Sequence, residues 1–325
     1  MINQRITVAR RFVLFSLLAA VCLMTAPAAQ AQQKFVNILT GGQSGIYYPL
    51  GMALSQIYGK VLPDAKVSVQ VTKASAENLN FLQSGKGEIA FALGDTVADA
   101  WNGVEDAGFK APLKKLRAVA GLYSNYIQIV ANADAGIKTI TDLKGKRISV
   151  GAPKSGTELN VREILKAAGM SYSDFAKVEY LGFGESVELM KNHQIDATLQ
   201  SVGLGAASIK DLVDKGGVVM VAVPSAVVAK MGDAVYKAGV IPANTYNGQT
   251  ADVPTVMVQN ILVTHDGVGD DAVYAMTKAM FDNLDAVVAA HKAAAKISKA
   301  SAAKGLPIPL HAGAERYYKE AGLLK

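Results

Sequence analysis

Apolar and polar positions change their period several times along the chain. Phe35–Thr40 runs as a strand, and after the loop GGQSG the residues Ile46, Leu50, Ala53, Leu54 and Ile57 fall on one helical face. Alternation returns at Val67–Val71. TKASAENLNFLQSGKG then supplies a loop and a second helix with Ala76, Leu79 and Leu82 inward, stopped by Gly85 or Gly87. EIAFAL reads as a short buried strand and GDTVADAWNG as a third loop and helix. Strand and helix alternating at this spacing predict a parallel sheet with crossover helices.

The segment Leu116–Ala133 breaks the rhythm. Its two apolar runs, LRAVAGLY and YIQIVANA, follow with hardly a break, a long extended stretch suited to carry the chain from one domain into another. A second series follows: a turn and short helix at TITDLKGKR, then strands at Ile148–Gly151, Val178–Leu181, Ile195–Leu199 and Val218–Val223. Helices from Thr157, Glu185 and Gly205 separate these strands. Val256–Thr264 is another extended run, suited to carry the chain back, and a long helix follows with Val273, Met276, Thr277, Met280, Leu284 and Val287 inward. A Pro-bounded loop and a short helix close the chain. The pattern predicts two α/β lobes, one from residues 32–123 with 261–325 and the other from 124–260. Ligands in open α/β sheets bind beyond the carboxyl ends of the strands. The loops there, GGQSGIYY, KASAEN, GDT, PKSGT, GFGES and SVGLG, are polar and glycine-rich.

The first residues change the compartment. Arg5, Arg10 and Arg11 precede an apolar stretch from Phe12 to about Thr25, and Ala29-Gln30-Ala31 offers a small-x-small cleavage site. This is the layout of a secretory signal peptide covering residues 1–31, cleaved after Ala31. The apolar stretch falls short of the ~20 residues a membrane span needs. Of 33 Lys and Arg against 27 Asp and Glu, cleavage removes three arginines and no acid, leaving 30 against 27 and a net charge near +3. Cleavage also removes the only cysteine, Cys22, so the mature chain has no disulfide or thiol chemistry. Its charge is small and dispersed, with no basic run among aromatics, which argues against nucleic acid.

Catalytic signatures are sparse. His193, His265, His291 and His311 are scattered, none at the i, i+4 spacing of a zinc helix, and read as surface or capping residues. Gly203-Leu204-Gly205 echoes a dinucleotide loop without its third glycine. The enzyme alternative is a serine acyl-transfer enzyme of penicillin-binding type, since Lys154-Ser155-Gly156 matches K-[ST]-G and Ser301-Ala302-Ala303-Lys304 matches S-x-x-K. Their order is reversed, however, and both patterns are short enough to arise by chance.

GAPKSGTELN, residues 151–160, lies between a strand and a helix. Small hydroxyl residues at such a point either cap the helix or hold an anion on its unpaired N–H groups. Beside the first glycine loop, one phenol of Tyr47 and Tyr48 is expected to face the cleft. Glu77 and Asn78 read as first-turn residues after a cap at Ser75, and Asp95 as a cap.

Five stretches, GIYYPLG, SAENLNFLQSG, DLKGKRISVGAPKSGTELNVREIL, IDATLQSVG and PLHAGAERYYKEAG, resemble in order and over almost the whole mature chain the TAXI subfamily of TRAP-transporter solute-binding proteins. The resemblance implies an α/β, two-lobed periplasmic-binding-protein fold of type II-like architecture, with parallel-rich sheets flanked by helices and a ligand cleft between lobes. It implies a periplasmic receptor, not an enzyme, that captures a small organic carboxylate of the glutamate, glutamine or 2-oxoglutarate class. The solute would pass to an integral-membrane TRAP permease for uptake driven by an ion gradient. No cofactor, metal or nucleic-acid partner is expected, and the chain is expected to be a monomer. Carried over by motif, the pocket falls on Tyr47, Tyr48, Ser75, Asn78, Asp95, Ser155, Gly156, Thr157, Gly203 and Leu204. Where the subfamily often reads Gln-Ser-Asp this chain has Leu93-Gly94-Asp95, and where it often has Gly-x-Pro this chain has Gly203-Leu204-Gly205. The N–H groups of Ser155 to Glu158, with the Ser155 and Thr157 hydroxyls, are expected to bind the carboxylate.

Overall fold

A central sheet of ten strands orders the molecule, flanked by helices whose apolar faces cover it. The structure is a computed structural model that describes residues 34–232 and 234–325; the signal peptide read in Met1–Ala31 lies outside them. In chain order the first series is β1 (Lys34–Leu39), α1 (Tyr47–Val61), β2 (Ala65–Gln70), α2 (Ser75–Gln83), β3 (Ile89–Leu93) and α3 (Gly94–Asn102). β4 (Leu116–Asn132) follows as one 17-residue strand. The second series is β5 (Arg147–Ser149), α4 (Gly156–Ala167), β6 (Lys177–Glu179), α5 (Phe183–Lys191), β7 (Ala197–Val202), α6 (Ala207–Lys215), β8 (Val218–Val221), α7 (Ser225–Met231) and β9 (Lys237–Ile241). β10 (Val253–His265), α8 (Asp270–Asp282), α9 (Leu284–Ala290) and α10 (Ala312–Glu320) complete it.

The principal strand order is β2-β1-β3-β10-β4-β7-β5-β6. β1 with β3, and β5 with its neighbours β6 and β7, pair in parallel, as the sequence pattern predicts. The centre differs, because β10 returns antiparallel to both β3 and β4, and β4 runs antiparallel to β7. The two α/β series are therefore joined through two long strands into one mixed sheet. Leu116–Gly121 pairs with Ile261–His265, whereas Tyr126–Ala131 pairs with Val202–Ala197. Between these stretches the β4/β10 register slips at Gln259/Ile261. The buried Asn260 spans the slip: its Nδ2 donates to Tyr123 O and Asn125 Oδ1, each at 2.8 Å, and its Oδ1 accepts from Tyr47 OH at 2.5 Å.

Two departures from the sequence pattern have local causes. The long helix expected after β10 is interrupted at Asn283, whose Nδ2 donates to Ala279 O at 2.8 Å and whose backbone leaves helical geometry. A short amide side chain competing for backbone groups in this way favours a helix boundary. β9 had no signal in the pattern because it is mostly exposed and lacks alternation, pairing only with β10 among the described strands. His291 and His311 each accept a backbone N–H two residues on, as caps. Burial pushes the pKa of both below the ordinary histidine value, so they act as neutral acceptors.

Candidate ligand-binding site

A cavity of about 340 Å³ lies at the carboxyl ends of the parallel strands. The β1–α1 loop, the start of α2, the start of α4 and the loop leading into α5 contribute its walls. Tyr123 and Asn125 of β4, with Ser201 and Val202 of β7, supply the rest.

The α4 wall decides the question raised by GAPKSGTELN. Ser155 is the N-cap, with extended backbone, and its Oγ accepts from Glu158 N at 3.2 Å. Ser155 N donates to Ala152 O at 3.0 Å. The expectation that four N–H groups face the ligand is thus narrowed, because those of Ser155 and Glu158 already have protein acceptors. Gly156 and Thr157 occupy the first two helical positions, where helix geometry provides no acceptor, and both line the cavity. The Ser155 hydroxyl accepts through a lone pair and keeps its proton to donate. The residue is therefore both a cap and a possible ligand donor.

The α2 wall is built under strain. Its N-cap, Ala74, has φ 67° and ψ −149°, a conformation L-residues rarely adopt and one that costs about 1–3 kcal/mol. The neighbouring side chains hold it there: Ala74 N donates to Thr72 Oγ1 at 3.0 Å, and Thr72 Oγ1 donates to Asn78 Oδ1 at 2.6 Å. Asn78 Nδ2 in turn donates to Thr40 O at 2.7 Å and Phe91 O at 2.9 Å. Asn78 is therefore fully engaged in positioning α2 and does not line the cavity. Ser75 does, and its Oγ accepts from Leu93 N at 3.1 Å. The two helix starts touch: a Cβ on Gly156 would lie 2.5 Å from Ser75 Oγ.

Of the other residues singled out from sequence, Tyr47 lines the cavity and Tyr48 does not. Tyr47 stacks on Phe91 with ring centroids 5.0 Å apart, and burial raises its phenol well above the ordinary value, so it stays a neutral donor to Asn260. Gly203 lies just behind the wall, where a Cβ would come within 2.7 Å of Ile46 and 3.0 Å of the Tyr123 ring. Leu204 packs against the apolar core.

Asp95 is also off the cavity and is not a helix cap; Leu93 takes that position and Asp95 lies in the first turn of α3. Only 4 % exposed, it accepts from Asn160 Nδ2 and from Tyr236 OH, the latter at 2.7 Å. Burial pushes its pKa up to about 6, against the lowering effect of the hydrogen bonds from Tyr236 and Asn160.

With this geometry in place, the kinship is decided by the match of residues 38–322 to the NMT1-like family. The chain belongs to the NMT1-like family. Its fold is similar to that of PhnD1 from Prochlorococcus marinus, solved with methylphosphonate, at a TM-score of 0.56 and 12 % identity over 90 % of this chain and 100 % of that one. A protein from Bordetella bronchiseptica aligns at TM-score 0.50 and 17 % identity, covering 89 % and 98 % of the two chains. The periplasmic aliphatic sulphonate binding protein SsuA from Escherichia coli aligns at TM-score 0.44 and 15 % identity, covering 88 % and 83 %. This NMT1-like chain has a mixed α/β fold, a central sheet flanked by helices, similar to that of PhnD1.

Two residues lining the cavity of this NMT1-like protein, Tyr123 and Asn125, escaped the sequence reading, while Phe183 and Ser201 entered it only as parts of the loops GFGES and SVGLG and Leu93 only as a departure from the family motif. Tyr123 and Asn125 lie inside the buried strand β4, and the only available signal was a polar group within an apolar run. The charged side chains on the lining are Lys73 and Glu185, both exposed, and Glu185 Oε2 accepts from Gly182 N at 3.0 Å. Lys154, Ser301 and Lys304, the other parts of the acyl-transfer alternative, are absent from the lining. Among the described residues no group of three or more His, Cys, Asp or Glu could hold a metal ion.

Proposed function

We propose that this chain is the periplasmic receptor of a TAXI-type TRAP transporter, capturing a small carboxylate and delivering it to an integral-membrane permease. The observation that carries the carboxylate reading is the start of α4. There Gly156 and Thr157 bring unpaired N–H groups, and Ser155 and Thr157 bring hydroxyls, to a cavity whose lining contains no arginine. Directed neutral donors at the positive end of a helix hold an anion without a buried countercharge. The motifs GIYYPLG, SAENLNFLQSG and PKSGTELNVREIL support the TAXI assignment.

In this reading residues 32–123 with 261–325 form one lobe and 124–260 the other, joined through β4 and β10. A solute touching both favours the closed form by its differential affinity, and the permease recognises that closed form. The reading assigns no catalytic residue and treats Ser155 as a binding group.

A thermal-shift panel on the mature chain, stripped of copurified solute by partial unfolding, tests it. The probes are glutamate, glutamine, 2-oxoglutarate, succinate and monocarboxylates, with methylphosphonate and an alkanesulfonate as rival oxyanions. A ligand at a hundred times its Kd adds about 2.7 kcal/mol, on the order of 5 °C for a chain of this size. A shift with a carboxylate supports the proposal; a shift with only the phosphonate or the sulfonate overturns the carboxylate class.

A further inference from the structure

Polar side chains on the cavity lining are unevenly available to a solute. Tyr47 donates to Asn260, Thr72 is held between Ala74 N and Asn78, and Asn125 is held by Ser201 O and Asn260. The Tyr123 and Ser201 hydroxyls are buried out of reach. What remains is the start of α4 beside Ser75, together with Lys73, Tyr180 and Glu185, which are exposed. The helix caps repeat this division. Polar residues are the rule at N-caps, yet α1, α2 and α3 start on Ile46, Ala74 and Leu93, which make no side-chain cap bond and line the cavity. Of these four helices α4 alone, capped by Ser155, follows the rule.

The side chains that a solute can reach on the rest of the lining are mostly apolar. Ala74, Ala152 and Phe183 are half-buried and Pro153 is exposed. The Phe183 ring reaches the β1–α1 loop, where a Cβ on Gly45 would lie 3.6 Å from it. The cavity holds about 340 Å³, against ~150 Å³ for an apolar cavity that takes up benzene. We infer that the solute is a monocarboxylate with an uncharged, apolar body the size of a six-membered ring or a short aliphatic chain. This rests on the carboxylate reading of the α4 wall and narrows it away from dicarboxylates and amino acids. A second carboxylate or an ammonium meets only Lys73 and Glu185, and pairing with exposed charges contributes little. An apolar body instead leaves water against Ala74, Ala152, Pro153 and Phe183, and each methylene so buried tightens binding about fourfold.

Isothermal titration of the mature chain with propionate, pentanoate and phenylacetate tests this, with glutarate, glutamate and 2-oxoglutarate as rivals matched in length to pentanoate. Pentanoate is expected to bind about tenfold or more tighter than propionate, and tighter than each of the three rivals by a similar factor. Phenylacetate should also exceed propionate. Phe183→Ala should reduce the advantage of pentanoate over propionate to under about threefold, and Phe183→Leu should restore most of it. Tightest binding of glutarate, glutamate or 2-oxoglutarate overturns the inference, as does equal affinity for propionate and pentanoate or an unchanged advantage in a folded Phe183→Ala variant. If no carboxylate binds, the carboxylate reading falls by itself. The apolar body is then decided on methanesulfonate against pentanesulfonate: tighter binding of the longer chain, lost in Phe183→Ala, upholds it, and equal or absent binding overturns it.

Discussion

Gly156→Ala tests whether contact between the two helix starts governs closure. The added Cβ would lie 2.5 Å from Ser75 Oγ, 2.6 Å from Leu93 Cδ1 and 3.0 Å from Ser75 Cβ. Leu93 can rotate its methyl away, but Ser75 cannot yield without giving up the bond from Leu93 N. Overpacking of this kind costs about 1–3 kcal/mol. In the proposed two-lobe reading α2 and α4 belong to different lobes, and the cost then falls on the closed form alone. In the open form the change is neutral or mildly favourable, since alanine is the better helix former by roughly 0.5–1 kcal/mol. Because each 1.4 kcal/mol is tenfold, solute affinity should fall about 5- to 150-fold while the ligand-free chain keeps its melting temperature. Titration calorimetry measures the affinity, and solution scattering with saturating solute measures the compaction. Affinity within twofold of wild type, with full compaction, would refute the reasoning.

Removing both hydroxyls in the Ser155→Ala, Thr157→Ala variant should weaken carboxylate binding at least tenfold and cost about 0.5–2 kcal/mol of stability through the lost cap; unchanged affinity in a folded variant counts against the α4 site. Asp95 has a native pKa of about 6 against an ordinary 3.8, so the native state binds more protons in between. Its contribution is greatest below about pH 4, falls as pH rises through 6, and is level above. Wild type should therefore lose on the order of 3 kcal/mol relative to Asp95→Asn between pH 4 and 7, and parallel denaturation profiles would contradict this. Asn260→Ala deletes three buried hydrogen bonds and strands the Tyr47 hydroxyl. Urea unfolding should register a loss of about 3 kcal/mol or more, and a loss under 1 kcal/mol would show that the strand crossing is held by other contacts.

The helices and buried strands of the first series were legible because their apolar residues keep a clear period, as in Leu50, Leu54 and Ile57 of α1 or Ala76, Leu79 and Leu82 of α2. β4 and β10 were both legible as long extended runs, but not that they pair antiparallel. Strand direction depends on partners distant in sequence, and local pattern carries no information about it. Ser75, Ser155, Gly156 and Thr157, which line the cavity, were singled out because strand–loop–helix junctions announce themselves by residue type. Asn78 and Asp95 were read as ligand residues from the same motifs. Their partners, Phe91 for one and Asn160 and Tyr236 for the other, are set by tertiary packing. Tyr123 and Asn125 were missed for the converse reason: inside LRAVAGLY and the run after it they look like ordinary strand residues, and only the cavity distinguishes them.

The position of β10 also bears on the order in which the chain acquires its structure. This strand, from the last quarter of the sequence, sits between β3 and β4, with Thr264 opposite Ile89 on one side and Arg117 on the other. Until residues 253–265 have been synthesised, β3 lacks a neighbour on that side and β4 lacks its long antiparallel partner. Closing so wide a loop costs entropy before any pairing offsets it, which makes such topologies slow to fold. A chain lacking residues 253–265 therefore cannot complete its central sheet, whatever has already formed at either edge.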